Sequence, residues 1–110
     1  MTRNEDVSAS ASVFAALGDE TRLQLVARLC HGGPMSITRL AEGFDMSRQA
    51  ITKHLRVMED AGLVRSAWQG RESVWQLEQK RLAAARRHLQ TISAQWDQTL
   101  DRLKTFVERV

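Results

Sequence analysis

The 110-residue sequence predicts a mainly α-helical fold that carries one small β-hairpin, an α+β class in which few strands serve many helices. Three observations predict it. Residues 47–63, SRQAITKHLRVMEDAGL, alternate apolar and polar side chains at helical spacing between written start and stop signals. Two short runs, LVRSAW and SVWQL, are strand-like and flank Gln69-Gly70-Arg71-Glu72, a turn with a glycine and a cation at its tip. From about Lys80 to Arg109 the apolar residues recur every seven positions, the repeat of a helix that packs lengthwise on another.

The 47–63 stretch anchors the rest. The hydroxyl of Ser47 is placed to cap the first turn, and Met46 and Ile51 occupy the two positions of a hydrophobic staple. Gly62 suits the left-handed end of a helix, with Leu63 folding back on Met58. At roughly 100° per residue, Ala50, Ile51, His54, Leu55, Val57, Met58 and Ala61 share one half of the helix. Arg48, Gln49, Thr52, Lys53, Arg56, Glu59 and Asp60 share the other, which turns acidic only at its far end. A helix that enters a major groove by its first turns needs that layout, because Arg and Lys pair with guanine edges or phosphates, Gln with adenine, and Thr with a base edge or thymine methyl.

Upstream, Ser36-Ile37-Thr38-Arg39-Leu40-Ala41-Glu42-Gly43-Phe44 reads as a short helix capped by Ser36 and broken at Gly43, with Ile37, Leu40, Ala41 and Phe44 on its apolar face. Two short helices around a tight glycine-containing turn make a helix-turn-helix. With the hairpin after it, the order predicts a winged helix-turn-helix extended by a long C-terminal dimerisation helix.

GDETRLQLVARL, ITRLAEGFDMSRQAITKHLRVMEDAGLV and GRESVWQL together resemble the bacterial ArsR-type winged-helix repressors over roughly residues 12–108. SRQAITKHLRVMEDAGLV is the most specific part. The branch it resembles most lacks metal ligands and is often encoded beside a START-like domain protein. The resemblance implies a homodimer assembled through the first and last helices, which presents two reading helices to a pseudo-palindrome. It also shows a departure. Metal-sensing relatives carry cysteines on the first helix of the helix-turn-helix, where this chain has Ser36-Ile37-Thr38-Arg39-Leu40. Others pair Asp and His on the terminal helices, where this chain has only His88, and Asp97, Asp101 and Glu108 have no histidine within a turn. No metal or other cofactor is expected.

In chain order, residues 1–6 read as a frayed polar tail. Val7 to Leu17 reads as a first helix with Ala11, Phe14 and Leu17 on one stripe, stopped by Gly18. Asp19 caps a second helix to about His31, with Leu23, Val26, Ala27 and Cys30 on one face, and Gly32-Gly33-Pro34 stops it. One domain spans 1–110, with the helix-turn-helix over 36–61, the wing over 63–77 and the terminal helix over 80–109. In that last helix Leu82, Leu89, Trp96, Leu103 and Val110 are seven apart, with Ala85, Ile92, Thr99 and Phe106 between. At about 45 Å such a helix outruns a domain whose radius of gyration should be about 13 Å. The seam therefore asks for a second copy, with some packing on the chain's own first helix.

Net charge is +3, which permits an anionic partner without demanding one. Position says more: Arg48, Lys53 and Arg56 lie between Met46 and Met58 with no acid among them. The longest purely apolar run, Val13–Leu17, is too short to span a membrane, and MTRNEDVSAS lacks the order of a signal peptide. A single cysteine excludes an internal disulfide. These features predict a cytoplasmic, nucleoid-associated protein.

The expected DNA-binding residues are Ser47, Arg48, Gln49, Thr52, Lys53, Arg56, Gln69 and Arg71. The expected dimer interface is Phe14, Leu82, Leu89, Ile92, Trp96, Leu103 and Phe106. Cys30 reads as core, His54 as a buried hydrogen-bonded residue, and His31 and His88 as solvated or capping. Trp75 should face the core, and Trp68, at the wing's base, should shield the hairpin. No nucleophile with a base and orienter, no phosphate loop and no paired carboxylates support an enzyme. The reading is a sequence-specific, dimeric DNA-binding repressor, autoregulatory, with double-stranded DNA as partner and room for an unidentified effector. Two alternatives stay open: a protein-docking winged helix without an operator, and a metal- or thiol-responsive sensor of the same fold.

Overall fold

A computed structural model describes the backbone of residues 4–109 and the side chains from Val7 onward. The chain runs α1 (Asn4–Leu17), α2 (Glu20–Gly32), β1 (Met35–Ser36), α3 (Ile37–Ala41), α4 (Arg48–Asp60), β2 (Val64–Gln69), β3 (Glu72–Leu77) and α5 (Gln79–Arg109). Helix α1 already includes Asn4 to Asp6, which were expected in the frayed tail, while residues 1–3 and Val110 lie outside the described residues.

The helix ends follow local chemistry. Asp19, in extended backbone, accepts a hydrogen bond from the Arg22 backbone N–H at 3.0 Å and so caps α2. That bond, ahead of the charges of Arg22 and His54, holds the Asp19 carboxyl below its usual pKa. Because the folded value is the lower one, the cap's contribution is fully present above the ordinary carboxyl value of 3.8 and is lost as pH falls through the folded value. Ser36 caps α3 and Ser47 caps α4 through Oγ, at 3.4 Å from the Arg39 backbone N and 3.1 Å from that of Ala50. At the far end of α4, the Gly62 N–H bonds to Glu59 O and the Leu63 N–H to Met58 O, both at 2.9 Å, with Gly62 at φ 78°. This pair of bonds is a Schellman end, and Leu63 and Met58, which it brings together, are fully buried.

The five helices and the hairpin share a single core: Val13 and Ala16 from α1, Leu25, Val26 and Leu29 from α2, Leu40 from α3, Ile51, Leu55 and Met58 from α4, Val64 and Trp75 from the hairpin, and Ala85 from α5, with half-buried Met35 of β1 packed against it. Trp75 faces that core as expected. The sheet is antiparallel in the order β1-β3-β2, with Ser66 opposite Trp75 and Gln69 opposite Glu72. Gly70 has φ 61° and Arg71 a negative φ, the sign pattern of a type II′ hairpin turn. Strand β1, which pairs Met35 with Trp75 and Ser36 with Val74, was not expected. At two residues it is too short for any periodic signal.

Two helix faces differ from expectation. In α1 the stripe Ser10, Val13 and Ala16 is buried, while Ala11 is exposed and Phe14 half-buried. In α2 the inward residues are Leu25, Val26 and Leu29, whereas Leu23 and Cys30 face solvent. The expected stripe and the observed one share Val26, and the observed one wins because it buries two leucines, Leu25 and Leu29, at about 1.5–3 kcal/mol each. Arg22 Nε, on the same side of the helix, donates to Ala16 O at 2.6 Å. Cys30 is therefore not core.

Helix α5 has 31 residues, about 46 Å of helix. Only its first turns meet the body, through half-buried Leu82, buried Ala85 and the hydrogen bond of His88 Nδ1 with Ser10 Oγ. His88 thus joins α5 to α1 rather than being solvated or capping. The remainder projects and stretches the molecule to 67 × 31 × 20 Å, with a radius of gyration of 18.3 Å. At the root of α5, Arg81 lies over Gly62 where a Cβ would stand and donates to Ala61 O at 3.2 Å.

The turn after α4 yields a stability prediction. Gly62→Ala should cost about 1–2 kcal/mol for the left-handed backbone, with displacement of Arg81 in addition. Urea denaturation should show a lower midpoint at an unchanged m-value. An unchanged midpoint would mean that this glycine does not close the reading helix.

Candidate nucleic-acid interface

Burial on one side of α4 sets what the other side presents. Ile51, Leu55 and Met58 have no exposed surface, so the helix cannot turn about its axis without lifting them from the core. Arg48, Gln49, Lys53 and Arg56 consequently face solvent, with Thr52 half-buried at the edge of the same face. The first turn of α4 contains no acid. Its N-terminal partial charge has no carboxylate of its own to offset it, unlike that of α2, which has Asp19 and Glu20.

The turn between α3 and α4 is held from beneath by Arg28 of α2. Its guanidinium donates to Leu40 O at 2.8 Å and to Glu42 O, and lies 4.3 Å from the centroid of the Phe44 ring. Cation and carbonyls thus fix the angle between the two helices of the motif. Sequence reasoning missed Arg28, because a lone arginine on an amphipathic helix carries no signal of its distant acceptors.

Among the predicted DNA-binding residues, Arg48 and Lys53 make no ion pair among the described residues. Arg56 does: Nη1 sits 2.9 Å from Glu59 Oε1, and its guanidinium carbon is 5.4 Å from the Trp75 ring centroid. The other Glu59 oxygen accepts from Ser66 Oγ at 3.2 Å. Arg56 and Glu59 together tie the reading helix to the wing. Ser47 Oγ is occupied as an acceptor by the cap but keeps its own proton to donate. Gln69 and Arg71 flank Gly70 at the exposed wing tip. Trp68 is 76% exposed and does not shield the hairpin.

His54 turns away from the polar face. Its Nδ1 lies 3.4 Å from Arg22 Nη1 and 3.7 Å from Asp19 Oδ2, which matches the expected hydrogen-bonded inward histidine except that it is half-buried. His31 is exposed. Among the described residues, no three His, Cys, Asp or Glu side chains gather as a metal site, and no helix is long and apolar enough to cross a membrane.

The second feature is apolar. Beyond the body, Leu89, Ile92, Trp96, Leu103 and Phe106 stand exposed along α5, Trp96 at 60% and Phe106 at 68%. Leu100 and Val107 widen the row, and the heptad reading passed over both because they fall one position beyond its seam. Of the residues expected at the interface, Phe14 and Leu82 are half-buried against the chain's own core. A groove of about 270 Å³ opens beside Phe14, between α1 and α5, lined by Val7, Ser10, Ala11, His88, Thr91 and Ile92. The seam is thus packed within the chain at its root and uncovered beyond it.

Comparison with known proteins agrees with this geometry. Residues 17–67 match a family described as "Helix-turn-helix domain". The chain is 42% identical over 76 residues to the HTH-type transcriptional regulator Rv2034 of Mycobacterium tuberculosis, covering 69% of this chain and 70% of that one. It is 29% identical over 76 residues to the arsenical resistance operon repressor of Bacillus subtilis, covering 69% and 72%. The solved structure of an ArsR-like transcriptional regulator from Rhodococcus sp. RHA1 superposes with a TM-score of 0.76 at 38% identity, over 93% of this chain and 95% of that one. The chain belongs to the ArsR-type helix-turn-helix family and is a DNA-binding transcriptional regulator.

Proposed function

We propose that the protein is a homodimeric repressor that binds a pseudo-palindromic operator, its own promoter included, and excludes polymerase sterically. The observation that carries this reading is the pairing of an exposed cationic α4 face with an uncovered apolar row on α5. The first supplies contact with DNA and the second supplies a reason for two copies. Arg48, Gln49, Thr52 and Lys53 read base edges in the major groove. Ser47, Lys53 and Arg56 hold phosphates, Arg56 at the cost of loosening its bond to Glu59. Gln69 and Arg71 sit near the adjacent minor groove. Leu89, Ile92, Trp96, Leu103 and Phe106 meet their counterparts across a two-fold axis, with Phe14 and Leu82 at the root of the seam. The dimer then offers two reading helices about one DNA turn, 34–36 Å, apart. Such a protein works in the cytoplasm, on the nucleoid. It acts without a metal or other cofactor, and any effector would act by changing the spacing of the two α4 helices.

Two measurements test these roles. Arg48→Ala should weaken the cognate site by about 1–3 kcal/mol, the size of a bidentate guanine contact, and relax preference at one base position in each half-site. Equal losses on cognate and random duplexes would assign Arg48 to phosphate instead. Trp96→Ala should remove an interface anchor of about 2–4 kcal/mol, raising the dimer dissociation constant about thirtyfold to a thousandfold. Sedimentation at micromolar concentration should show wild-type dimers and variant monomers, and the variant should keep weak half-operator binding while losing the full operator. A monomeric wild type would overturn the seam, and a dimeric variant that loses the operator would place Trp96 outside the association surface.

A further inference from the structure

Trp68 has no role in the fold. It is more exposed than any other large apolar side chain among the described residues, at 76%, although it sits within a paired strand opposite Ser73. Strand alternation puts Val64, Ser66 and Trp68 on one face of β2, opposite Leu77, Trp75 and Ser73 of β3. This is the face turned to the body and to α4: Val64 and Trp75 are buried, Ser66 bonds to Glu59, and Arg56 lies over Trp75. Trp68 is the next residue outward on that face, about 7 Å beyond Ser66 at strand spacing, past the point where the body stops covering it.

Inboard on this face Arg56 and Glu59 are paired with each other, and Glu59 also accepts from Ser66. Outboard, the tip carries the exposed cation Arg71. Glu72 pairs with Gln69, so the pleat directs both to the opposite face of the hairpin. An indole offers a flat apolar body and a single N–H donor, with no acceptor. The ridge between two grooves of a duplex offers the complement, apolar deoxyribose edges beside phosphate oxygens.

We infer that Trp68 is an uncharged contact to the phosphodiester ridge between the groove read by α4 and the groove beside the wing tip. Its ring lies on deoxyribose and its Nε1–H donates to a phosphate oxygen. The inference rests on the DNA-binding mode proposed above and adds a residue to it. The contact positions the wing without reading sequence. Because Trp68 is neutral, it strengthens binding without releasing a counterion.

The test compares wild type, Trp68→Ala, Trp68→Phe, Arg48→Ala and Arg71→Ala on the cognate and a random duplex across a salt series. Thermal unfolding serves as the check on fold, and an exposed position should leave it unchanged. Trp68→Ala should weaken both duplexes by about tenfold, the upper range of one neutral hydrogen bond, with the salt slope of wild type. Trp68→Phe should recover part of the loss, because it keeps a ring and lacks the N–H. Arg71→Ala should instead lower the slope by about one unit. Wild-type affinity in Trp68→Ala, with Arg48→Ala still impaired, would overturn the inference and leave the α4 interface standing. A loss confined to the cognate sequence, a reduced slope, or a changed sedimentation coefficient would overturn it too, the last by assigning Trp68 to contact between copies. No binding of wild type to any duplex would overturn the underlying DNA-binding reading together with this one.

Discussion

Ile51, Leu55 and Met58 lie on one side of a thirteen-residue helix and are completely removed from solvent. Each fully buried side chain of this size is worth about 1.5–3 kcal/mol. Turning α4 by one residue position would expose most of that surface and drive Arg48 or Lys53 toward the core. Hydrophobic burial, which has no directional preference of its own, thereby fixes the direction of four polar side chains. The caps fix the other coordinate: Ser47 sets where the helix starts, and the Gly62 turn sets where it stops. Arg28 then settles the angle to α3, and Glu59 with Ser66 settles the position of the wing. Base readout needs this rigidity, because bidentate contacts fail when a side chain is placed an ångström away.

Electrostatics is arranged locally rather than in total. A net charge of +3 is modest for a protein that meets a polyanion. The cations gather where the fold leaves a face uncovered, and the acids of α4, Glu59 and Asp60, stand at its far end, one of them turned into the wing. The first turn of α4 combines the positive end of a helix dipole with Arg48. That arrangement is mildly unfavourable in the free protein, by about 0.3–1 kcal/mol, and becomes favourable once a phosphate is near. Under the proposed binding mode, DNA phosphate relieves that small cost.

What could be read from the sequence was what the chain repeats or punctuates locally. Reading helix, caps, hairpin turn and α5 all follow from periodicity, a hydroxyl or glycine at a helix end, or the heptad. The stripes of α1 and α2 did not follow. Alanine and serine dilute the apolar signal in α1, and in α2 two overlapping stripes share Val26, of which the one that carries Leu25 and Leu29 is buried. Long-range polar contacts were equally silent: Arg28 to the α3 carbonyls, His88 to Ser10, Arg81 to Ala61. Each joins residues more than ten positions apart, and no local pattern encodes its acceptor. Strand β1 and the exposure of Trp68 belong with these, since both depend on where the hairpin lies relative to the body.

The proposed dimer sets two α4 faces on the same side of a single duplex. The most direct measurement is hydroxyl-radical footprinting on duplexes selected by the protein from a random pool. Such a dimer should select an inverted repeat whose half-site centres are separated by about 10–10.5 base pairs and should protect both half-sites on one face of the helix. Enrichment of a single unrepeated site, or of half-sites at a spacing that places them on opposite faces, would contradict it.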